Sequence, residues 1–174
     1  MTKFSLKGHV ALVTGNSTGL GKAIGLELGK AGAKVPVNVA NNESRAQQTL
    51  REYQAAGIET LLIQADVTSE EGIDKLFRET EAKLGKVDVI VPNATCEQPL
   101  KPIEEYDWAF YQRMIDFFIK SPVLVTKRGL PHMKQQKWGR IINITSEVFQ
   151  RSVAPFTAYV AAKGGQIGFS RSLS

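Results

Sequence analysis

The sequence predicts an α/β fold in which a parallel sheet is covered by helices on both faces. Short, almost continuously apolar segments alternate with amphipathic segments of helical period, and this alternation is typical of parallel sheets. A glycine-rich loop joins the first of these apolar segments to the first helix. The 174 residues, 43% of them hydrophobic, suffice for one sizeable core, and no repeat, linker or low-complexity segment divides them. Residues 1–174 are therefore expected to form a single domain.

Five strands are expected from the apolar runs. They cover residues 10–14, 34–39, 60–65, 87–91 and 140–145. Each run is short and nearly free of charge, as strands buried on both faces of a parallel sheet are. Pro36 lies within the second run and removes one hydrogen bond from its ladder.

Helices are expected between these strands, at residues 20–30, 45–55, 70–84 and about 103–133, with a last one from about residue 156 to the C-terminus. The sequence Thr68-Ser69-Glu70-Glu71 fits the capping-box pattern at the start of the third helix. Pro122 interrupts the long fourth helix and is expected to kink or divide it.

The loop after the first strand has the form T-G-x-x-x-G-x-G, with Thr14, Gly15, Gly19 and Gly21. Glycines at such a place allow backbone N–H groups to approach a phosphate at the positive end of a helix. A P-loop is excluded because it would need glycine at position 16 and a hydroxyl residue at position 23. The loop spacing does not match G-x-G-x-x-G either, and a glycine-rich turn without a ligand stays an alternative.

A second motif lies near the C-terminus. Tyr159 and Lys163 are four residues apart, so on a helix they share one face. Ser146 ends the fifth predicted strand, thirteen residues before Tyr159. Without Ser146 and the glycine loop, a Y-x-x-x-K pattern more often indicates an ordinary helix surface.

Together these motifs resemble the classical short-chain dehydrogenase/reductase family, and among its members the 3-oxoacyl-carrier-protein reductases and sugar dehydrogenases. The resemblance runs from Lys7 to Ser174. It implies a doubly wound, Rossmann-type sheet that binds a nicotinamide dinucleotide beyond the carboxyl ends of its strands. It also implies that the chain is short at its C-terminus, without the usual last two strands and the segment that covers the substrate.

The resemblance assigns chemical roles to three residues. Tyr159 is the general acid/base, since reduction of a carbonyl produces an alkoxide that needs a proton and the reverse reaction needs a base. Lys163 lowers the pKa of the phenol through its charge and holds the nicotinamide ribose. Ser146 donates a hydrogen bond to the substrate oxygen.

The resemblance also implies a set of cofactor-binding residues along the carboxyl ends of the strands. These are Gly15, Ser17, Thr18, Gly19, Leu20, Gly21, Asn41, Asp66, Val67, Asn93 and Ala94, together with Tyr159 and Lys163. Asp66 is expected to meet the adenine ring, although a helix-capping role explains an aspartate there nearly as well.

The choice of dinucleotide depends on the residues that follow the second strand. An acidic residue there would bind the ribose 2′-hydroxyl and repel a 2′-phosphate. Residues 39–42 include no acid, and Asn41, Ser44 and Arg45 could hold a phosphate. The expected cofactor is therefore NADP, with NAD as the alternative.

Two positions depart from the family pattern. Thr95 stands where a glycine is usual, and its branched side chain is expected to crowd the cofactor ribose. Phe118 stands where the family has an asparagine that supports a water-mediated proton relay, and no asparagine lies between Asn93 and Asn143.

The expected function is hydride transfer between NAD(P)(H) and a small alcohol or ketone, with Tyr159 as acid/base. The alternative is an impaired or inactive dinucleotide-binding module, because of Phe118, Thr95 and the absent C-terminal part. If 174 residues are the whole chain, residues 141–144 form an apolar, unpaired sheet edge. Such a chain is expected to aggregate, to pair with another subunit, or to bind cofactor without shielding the reaction from water.

Composition limits the other functions. The net charge of +5 is scattered, which argues against nucleic-acid binding. No run of 18 apolar residues predicts a membrane span, residues 1–4 open no signal peptide, and the single Cys96 fits a reducing compartment, so a cytoplasmic location is expected. No metal site is expected from the isolated His9 and His132. Aromatic residues in the long helix indicate core or subunit packing, and because the family resemblance implies that this helix often pairs subunits, a homo-oligomer is expected.

Overall fold

Five parallel strands build the sheet in the computed structural model, which describes residues 4–173. They are β1 (Val10–Val13), β2 (Val37–Val39), β3 (Leu62–Gln64), β4 (Val87–Val91) and β5 (Arg140–Ile141). β4 pairs with β1 on one side and β5 on the other, and β2 pairs with β3. Lys34 joins the two parts, because it pairs with Val10. The predicted α/β fold with a parallel sheet is confirmed, with strand order 3-2-1-4-5. The expectations for the start of the chain and for Ser174 lie outside the described residues.

The second predicted strand, residues 34–39, is shorter than expected. Lys34 forms backbone hydrogen bonds on both sides of Val10, its N–H donating to His9 and its carbonyl accepting from Ala11, both at 2.9 Å. Regular pairing with β3 begins only at Val37. Between them lies Pro36, which has no N–H for the ladder.

Helices follow the strands on both faces. They are α1 (Gly19–Lys30), α2 (Glu43–Ala55), α3 (Glu70–Lys83), α4 (Trp108–Ile115), α5 (Ser121–Gln135), α6 (Val148–Arg151) and α7 (Thr157–Leu173), and a single 3₁₀ turn spans Ile103–Glu105. The start of α3 differs from the predicted capping box. Ser69 is its cap, accepting a hydrogen bond from Gly72 N at 3.0 Å, so the third helical residue is a glycine and no glutamate reciprocates.

The long predicted helix, residues 103–133, is divided. α4 begins at the cap Asp107, which accepts from Phe110 N at 2.7 Å. A π-helical turn over Asp116–Lys120 then leads into α5, and the N–H of Ser121 donates to the carbonyl of Asp116, five residues back. Pro122 lies in the first turn of α5, where its missing N–H prevents the usual hydrogen bond to the residue four before it. The expected disturbance is therefore present, as a π turn just before the proline.

The core has one layer on each face of the sheet and a third cluster among α4, the π turn and α7. Val10 and Leu12 of β1 point to the layer under α3 and α5, whereas Ala11 and Val13 point to the layer under α1 and α2. This alternation follows from the period of two in a strand. Helices on both faces make the sheet doubly wound, as the resemblance implied.

β5 lies at one edge of the sheet. Only Arg140 and Ile141 pair with β4, and Ile142 N adds one hydrogen bond to Ile90 O at 2.9 Å, so the predicted strand over 140–145 is too long. In the described part of the chain no strand lies outside β5, and the side chain of Ile142 is 46% exposed. No helix within residues 4–173 is long and apolar enough to cross a membrane.

Candidate functional site

The glycine loop lies at the carboxyl end of β1, and its glycines have different structural reasons. A Cβ on Gly15 would meet Ala94 Cα at 2.8 Å, and one on Gly21 would meet the carbonyl oxygen of Gly15, also at 2.8 Å. These two glycines are required by close packing inside the protein. Gly19 has φ +54° and would meet nothing within 4 Å, so it borders open space.

The N-terminus of α1 is open to a ligand. Its cap residue, Thr18, makes no side-chain hydrogen bond to the helix, and the first turn carries no acidic residue. Thr18, Gly19 and Leu20 are exposed. The first N–H groups of a helix have no partner within the helix, so this end can accept an anion.

Two asparagines that the sequence reasoning missed support this loop from below. Asn38 Oδ1 accepts from Gly15 N at 2.9 Å, and its Nδ2 donates to Ala65 O at 3.1 Å. Asn16 Oδ1 accepts from Asn38 N at 2.7 Å, and its Nδ2 donates to Pro36 O at 2.9 Å. A polar residue in the middle of the apolar run Val37–Val39 was the one available signal. Together they join the loop to β2 and β3.

Ser17 and Val67, both predicted to bind the cofactor, have buried side chains. Ser17 is 5% exposed and its carbonyl accepts from Thr49 Oγ1 at 2.8 Å. Val67 is 4% exposed and packs in the core under α3. At both positions the side chain faces the interior, so any contact with a ligand would come from the backbone.

Asn93 and Ala94 are held against the glycine loop by Thr14. The Thr14 hydroxyl accepts from Asn93 N at 2.9 Å and Ala94 N at 3.0 Å, and Asn93 Nδ2 donates to Thr14 O at 2.9 Å. The next residue, Thr95, is exposed and its hydroxyl interacts with Cys96 O and Gln98 Nε2. Its side chain is thus bound within its own loop.

Asp66 and Asn41 lie at the carboxyl ends of β3 and β2 and line a cavity of about 280 Å³ with Phe117 and Arg113. Asp66 Oδ1 accepts from the backbone N–H and the hydroxyl of Thr68, at 2.9 and 2.8 Å. The alternative that Asp66 caps a helix is wrong for α3, because the cap of α3 is Ser69. The carboxylate instead shapes the turn before that helix.

Ser146 and Tyr159 lie close together, but the pKa of Tyr159 does not fall. Burial raises the pKa of the phenol, and the nearby Ser146 side chain lowers it by less. The Tyr159 ring packs edge-on against Phe118 with centroids 5.1 Å apart. The expected lowering by Lys163 is not found because the ammonium is directed elsewhere.

Lys163 is 4% exposed, and its ammonium points into the protein. Nζ donates to Ile144 O at 2.5 Å and to Gln166 Oε1 at 2.9 Å. It lies 4.3 Å from the centre of the Phe118 ring and 5.7 Å from that of Tyr159. Burial lowers the pKa of Lys163 to about 8. Sequence reasoning missed Gln166, whose only signal is an amide three residues after Lys163 on the same helix.

The carboxyl ends of the parallel strands lead into the glycine loop, Asp66, Asn93 and Ser146. Doubly wound folds bind their ligands at this end of the sheet. Residues 9–174 match the family model described as short chain dehydrogenase.

The chain belongs to the short-chain dehydrogenase family.

Named relatives agree with this membership. A 3-oxoacyl-[acyl-carrier-protein] reductase from Synechocystis sp. is 38% identical over 98% of this chain and 68% of its own length. A 2-dehydro-3-deoxy-D-gluconate 5-dehydrogenase from Formosa agariphila is 33% identical, over 93% of this chain and 61% of its own. The solved structure of a metagenomic short-chain oxidoreductase in complex with NADP has a TM-score of 0.89 at 34% identity, covering 97% of this chain and 76% of that one.

The chain thus spans about two thirds of the length of these short-chain dehydrogenases. The predicted family and fold are confirmed, and so is the resemblance to 3-oxoacyl reductases and sugar-type dehydrogenases. The individual roles of the site residues stay predictions.

Proposed function

We propose that this short-chain dehydrogenase binds NADP(H) and transfers a hydride between it and a small alcohol or carbonyl substrate, with Tyr159 as the general acid/base. One observation supports this most. The phenol of Tyr159 lies beside the Ser146 side chain, at the same carboxyl end of the sheet as the open glycine loop. When bound, the nicotinamide ring supplies or accepts the hydride.

The glycine loop fits the pyrophosphate of a dinucleotide. Gly19 borders open space, and the uncapped N-terminus of α1 offers N–H groups without a competing carboxylate in its first turn. Asn93 and Ala94 are fixed beside this loop by Thr14. We assign the 2′-phosphate of NADP to Asn41 and Arg45, which are both exposed beyond β2. The relative solved with NADP supports this preference.

In the reduction direction, the substrate carbon receives the hydride and its oxygen receives the Tyr159 proton, so that a carbonyl becomes an alcohol. Ser146 donates a hydrogen bond to that oxygen. Because burial raises the pKa of Tyr159, the phenol is protonated at neutral pH and suited to act as an acid. We therefore expect carbonyl reduction to be favoured over alcohol oxidation at neutral pH. The Lys163 ammonium lies 5.7 Å from the centre of the Tyr159 ring.

The alternative is a dinucleotide-binding module without turnover. It is favoured by the direction of the Lys163 ammonium, which is bound to Ile144 and Gln166, and by Phe118 at the position of the family's asparagine. A mixture of the protein, NADPH and a panel of 3-oxoacyl thioesters, keto sugar acids and simple ketones separates the two. Loss of the NADPH absorbance, abolished in Tyr159→Phe, supports the enzyme.

The matched control is Tyr111→Phe, which removes a phenol hydroxyl that bonds to Thr157 on the exposed side of α4. It is expected to retain activity. Binding of NADPH seen by tryptophan fluorescence, without oxidation of any substrate in the panel, supports the module instead. Failure of both NADPH and NADH to bind would contradict either proposal.

The proposal also includes a homo-oligomer in the cytoplasm. Three large apolar side chains are exposed at the start of α4 and the loop before it, with Trp108 71%, Leu100 62% and Ile103 61% exposed. Such side chains together favour contact with another copy of the chain. Light scattering after size exclusion tests this, and a Trp108→Lys variant is expected to shift the mass toward the monomer. The single cysteine, Cys96, is free and supports a reducing compartment.

A further inference from the structure

We propose that Gln166 is a positioning residue for Lys163, whose amide oxygen, together with the face of the Phe118 ring, holds the buried ammonium in its charged form. The importance of this for catalysis rests on the proposed oxidoreductase function. The arrangement itself is independent of any cofactor, because it is formed by residues of this chain alone.

The contacts around the ammonium are all made by uncharged groups. Gln166 is 1% exposed and Lys163 4% exposed. Nζ donates to Gln166 Oε1 at 2.9 Å and to Ile144 O at 2.5 Å, and it lies 4.3 Å from the centre of the Phe118 ring. An ammonium has three N–H groups. Two neutral oxygens and the face of the Phe118 ring therefore lie nearest to it, with the Tyr159 ring farther away at 5.7 Å.

No carboxylate of the residues that the structure describes compensates the charge of Lys163. Among residues 4–173, no acidic side chain forms an ion pair with Lys163, and burial alone lowers its pKa, to about 8. The charged side chains of the neighbouring elements do not contribute to that pKa. They are Arg113 of α4, Asp116 and Lys120 of the π turn, Glu147 before α6 and Arg151 at its end, whereas α7 itself also carries Tyr159 and Arg171.

Burial of an ammonium without a paired carboxylate strongly disfavours the charged form. Hydrogen bonds to the charged form and a cation–π contact oppose that effect. Ile144 contributes a backbone carbonyl, which no substitution removes. Gln166 and Phe118 are thus the side chains that decide at which pH the cation is lost.

The position of Gln166 also decides where the ammonium points. The two residues are three apart on α7, so they are neighbours on the helix surface. The amide draws Nζ toward Ile144 and the underside of Phe118, 5.7 Å from the centre of the Tyr159 ring. At the position where the family resemblance implies an asparagine and a water relay, this chain places an aromatic ring 4.3 Å from the ammonium.

The decisive experiment measures the titration of Lys163 in the full chain without cofactor. Protein labelled with ¹⁵N at lysine Nζ is followed by NMR from pH 6 to 11, and Lys163→Met identifies the resonance. Gln166→Leu removes the acceptor and should lower the midpoint by about one unit, whereas Gln166→Glu adds a carboxylate and should raise it by about as much. Gln112→Leu, on the exposed face of α4, should leave it unchanged.

A midpoint in Gln166→Leu within about 0.2 units of the wild type would overturn the proposal. If that variant does not fold, Gln166→Glu keeps the size of the side chain, and the absence of an upward shift there would overturn it equally. A merely structural role of Gln166 predicts loss of stability in both variants, without opposite shifts of the titration.

A second measurement relates this to the proposed function. The pH at which kcat/KM for NADPH-dependent reduction falls on the alkaline side should move down in Gln166→Leu and up in Gln166→Glu, in parallel with the NMR midpoints. If no substrate is reduced by the wild type while the midpoints shift in opposite directions, the proposed function fails and the role of Gln166 stands. If turnover is observed and the midpoints do not move, the proposed function stands and the role of Gln166 fails.

Discussion

The side chain of Asn16 hydrogen-bonds to both Pro36 and Asn38, at the place where proline interrupts the second strand. Its Oδ1 accepts from Asn38 N at 2.7 Å, while its Nδ2 donates to the carbonyl of Pro36 at 2.9 Å. Both asparagines are buried. A single amide thus bonds both the carbonyl of Pro36 and the N–H of Asn38, directly beneath the glycine loop.

Asn16→Ala is expected to destabilise the protein by about 2–4 kcal/mol, because a buried N–H and a buried carbonyl both lose their partner. Urea unfolding followed by circular dichroism measures this. Asn41→Ala, at an exposed position, should change the free energy of unfolding by less than about 0.5 kcal/mol. Equal stabilities of the two variants would show that the bridge across Pro36 contributes little.

Gly19→Ala and Gly57→Ala form a matched pair. Both glycines have positive φ, +54° and +74°, and a Cβ on either would meet nothing within 4 Å. Each substitution should therefore cost about 1–2 kcal/mol of stability from backbone strain. Only Gly19 borders the proposed pyrophosphate site, so only Gly19→Ala should weaken NADPH binding, by about tenfold or more. Calorimetric titration with NADPH tests this, and equal affinities would place the phosphates elsewhere.

Asp88 should make the stability of the protein depend on pH in the acidic range. Burial tends to raise its pKa, but hydrogen bonds from Gln136, from the backbone N–H of Val10 and from His132 and His9 hold the pKa below its usual range. A carboxyl with a depressed folded pKa stabilises the protein above its unfolded pKa, about 3.9, and that stabilisation is lost as the pH falls through the folded value.

The Asp88→Asn variant tests this. It should lose about 1–3 kcal/mol at pH 7 and show a shallower fall in stability below pH 4. Asp74→Asn serves as the control, since the Asp74 side chain is 68% exposed, and it should follow the wild-type acid profile. The prediction is contradicted if the free energy of unfolding of Asp88→Asn falls below pH 4 as steeply as that of the wild type.

Lys163 should make stability rise with pH as well, but in the alkaline range. Its folded pKa of about 8 lies below the unfolded value of about 10.4, so between these values the unfolded chain binds more protons and stability rises with pH. Between pH 7.5 and 9.5 the rise from this group is expected to be about 1–2 kcal/mol. The measurement is the difference between the wild-type and Lys163→Met unfolding free energies across this range, which removes the contributions of other groups. A difference that does not change with pH would mean that Lys163 is not buried as an ammonium.

The site was predicted best where local sequence and local structure coincide. The strand Val87–Val91 has the predicted bounds because all five of its residues are buried, and the glycine loop lies between a strand and a helix as expected. The family motifs also pointed to both Ser146 and Tyr159, which are thirteen residues apart, and their side chains lie close together in the structure. In each case, the pattern of residue types reflects contacts within a short stretch or a feature shared by the whole family.

The predictions failed where distant residues decide the outcome. The long fourth helix was expected to be kinked or divided at Pro122, but the π turn before the proline was not expected, since periodicity does not reveal how backbone hydrogen bonds shift there. The pKa of Tyr159 was expected to fall, yet burial raises it. The spacing of Tyr159 and Lys163 specifies a shared helix face, but the direction of the ammonium depends on Gln166, Ile144 and Phe118.

From the order of residues alone follow the alternation of strands and helices, the glycine loop and the family, because these are encoded in periodicity and in spacing along the chain. Only the folded molecule decides that Asn16 reaches across to Asn38 and that Lys163 turns toward Gln166. Those choices depend on burial and on the competition among hydrogen-bond partners from separate elements. Such a competition is settled by three-dimensional packing, in which residues far apart along the chain become neighbours.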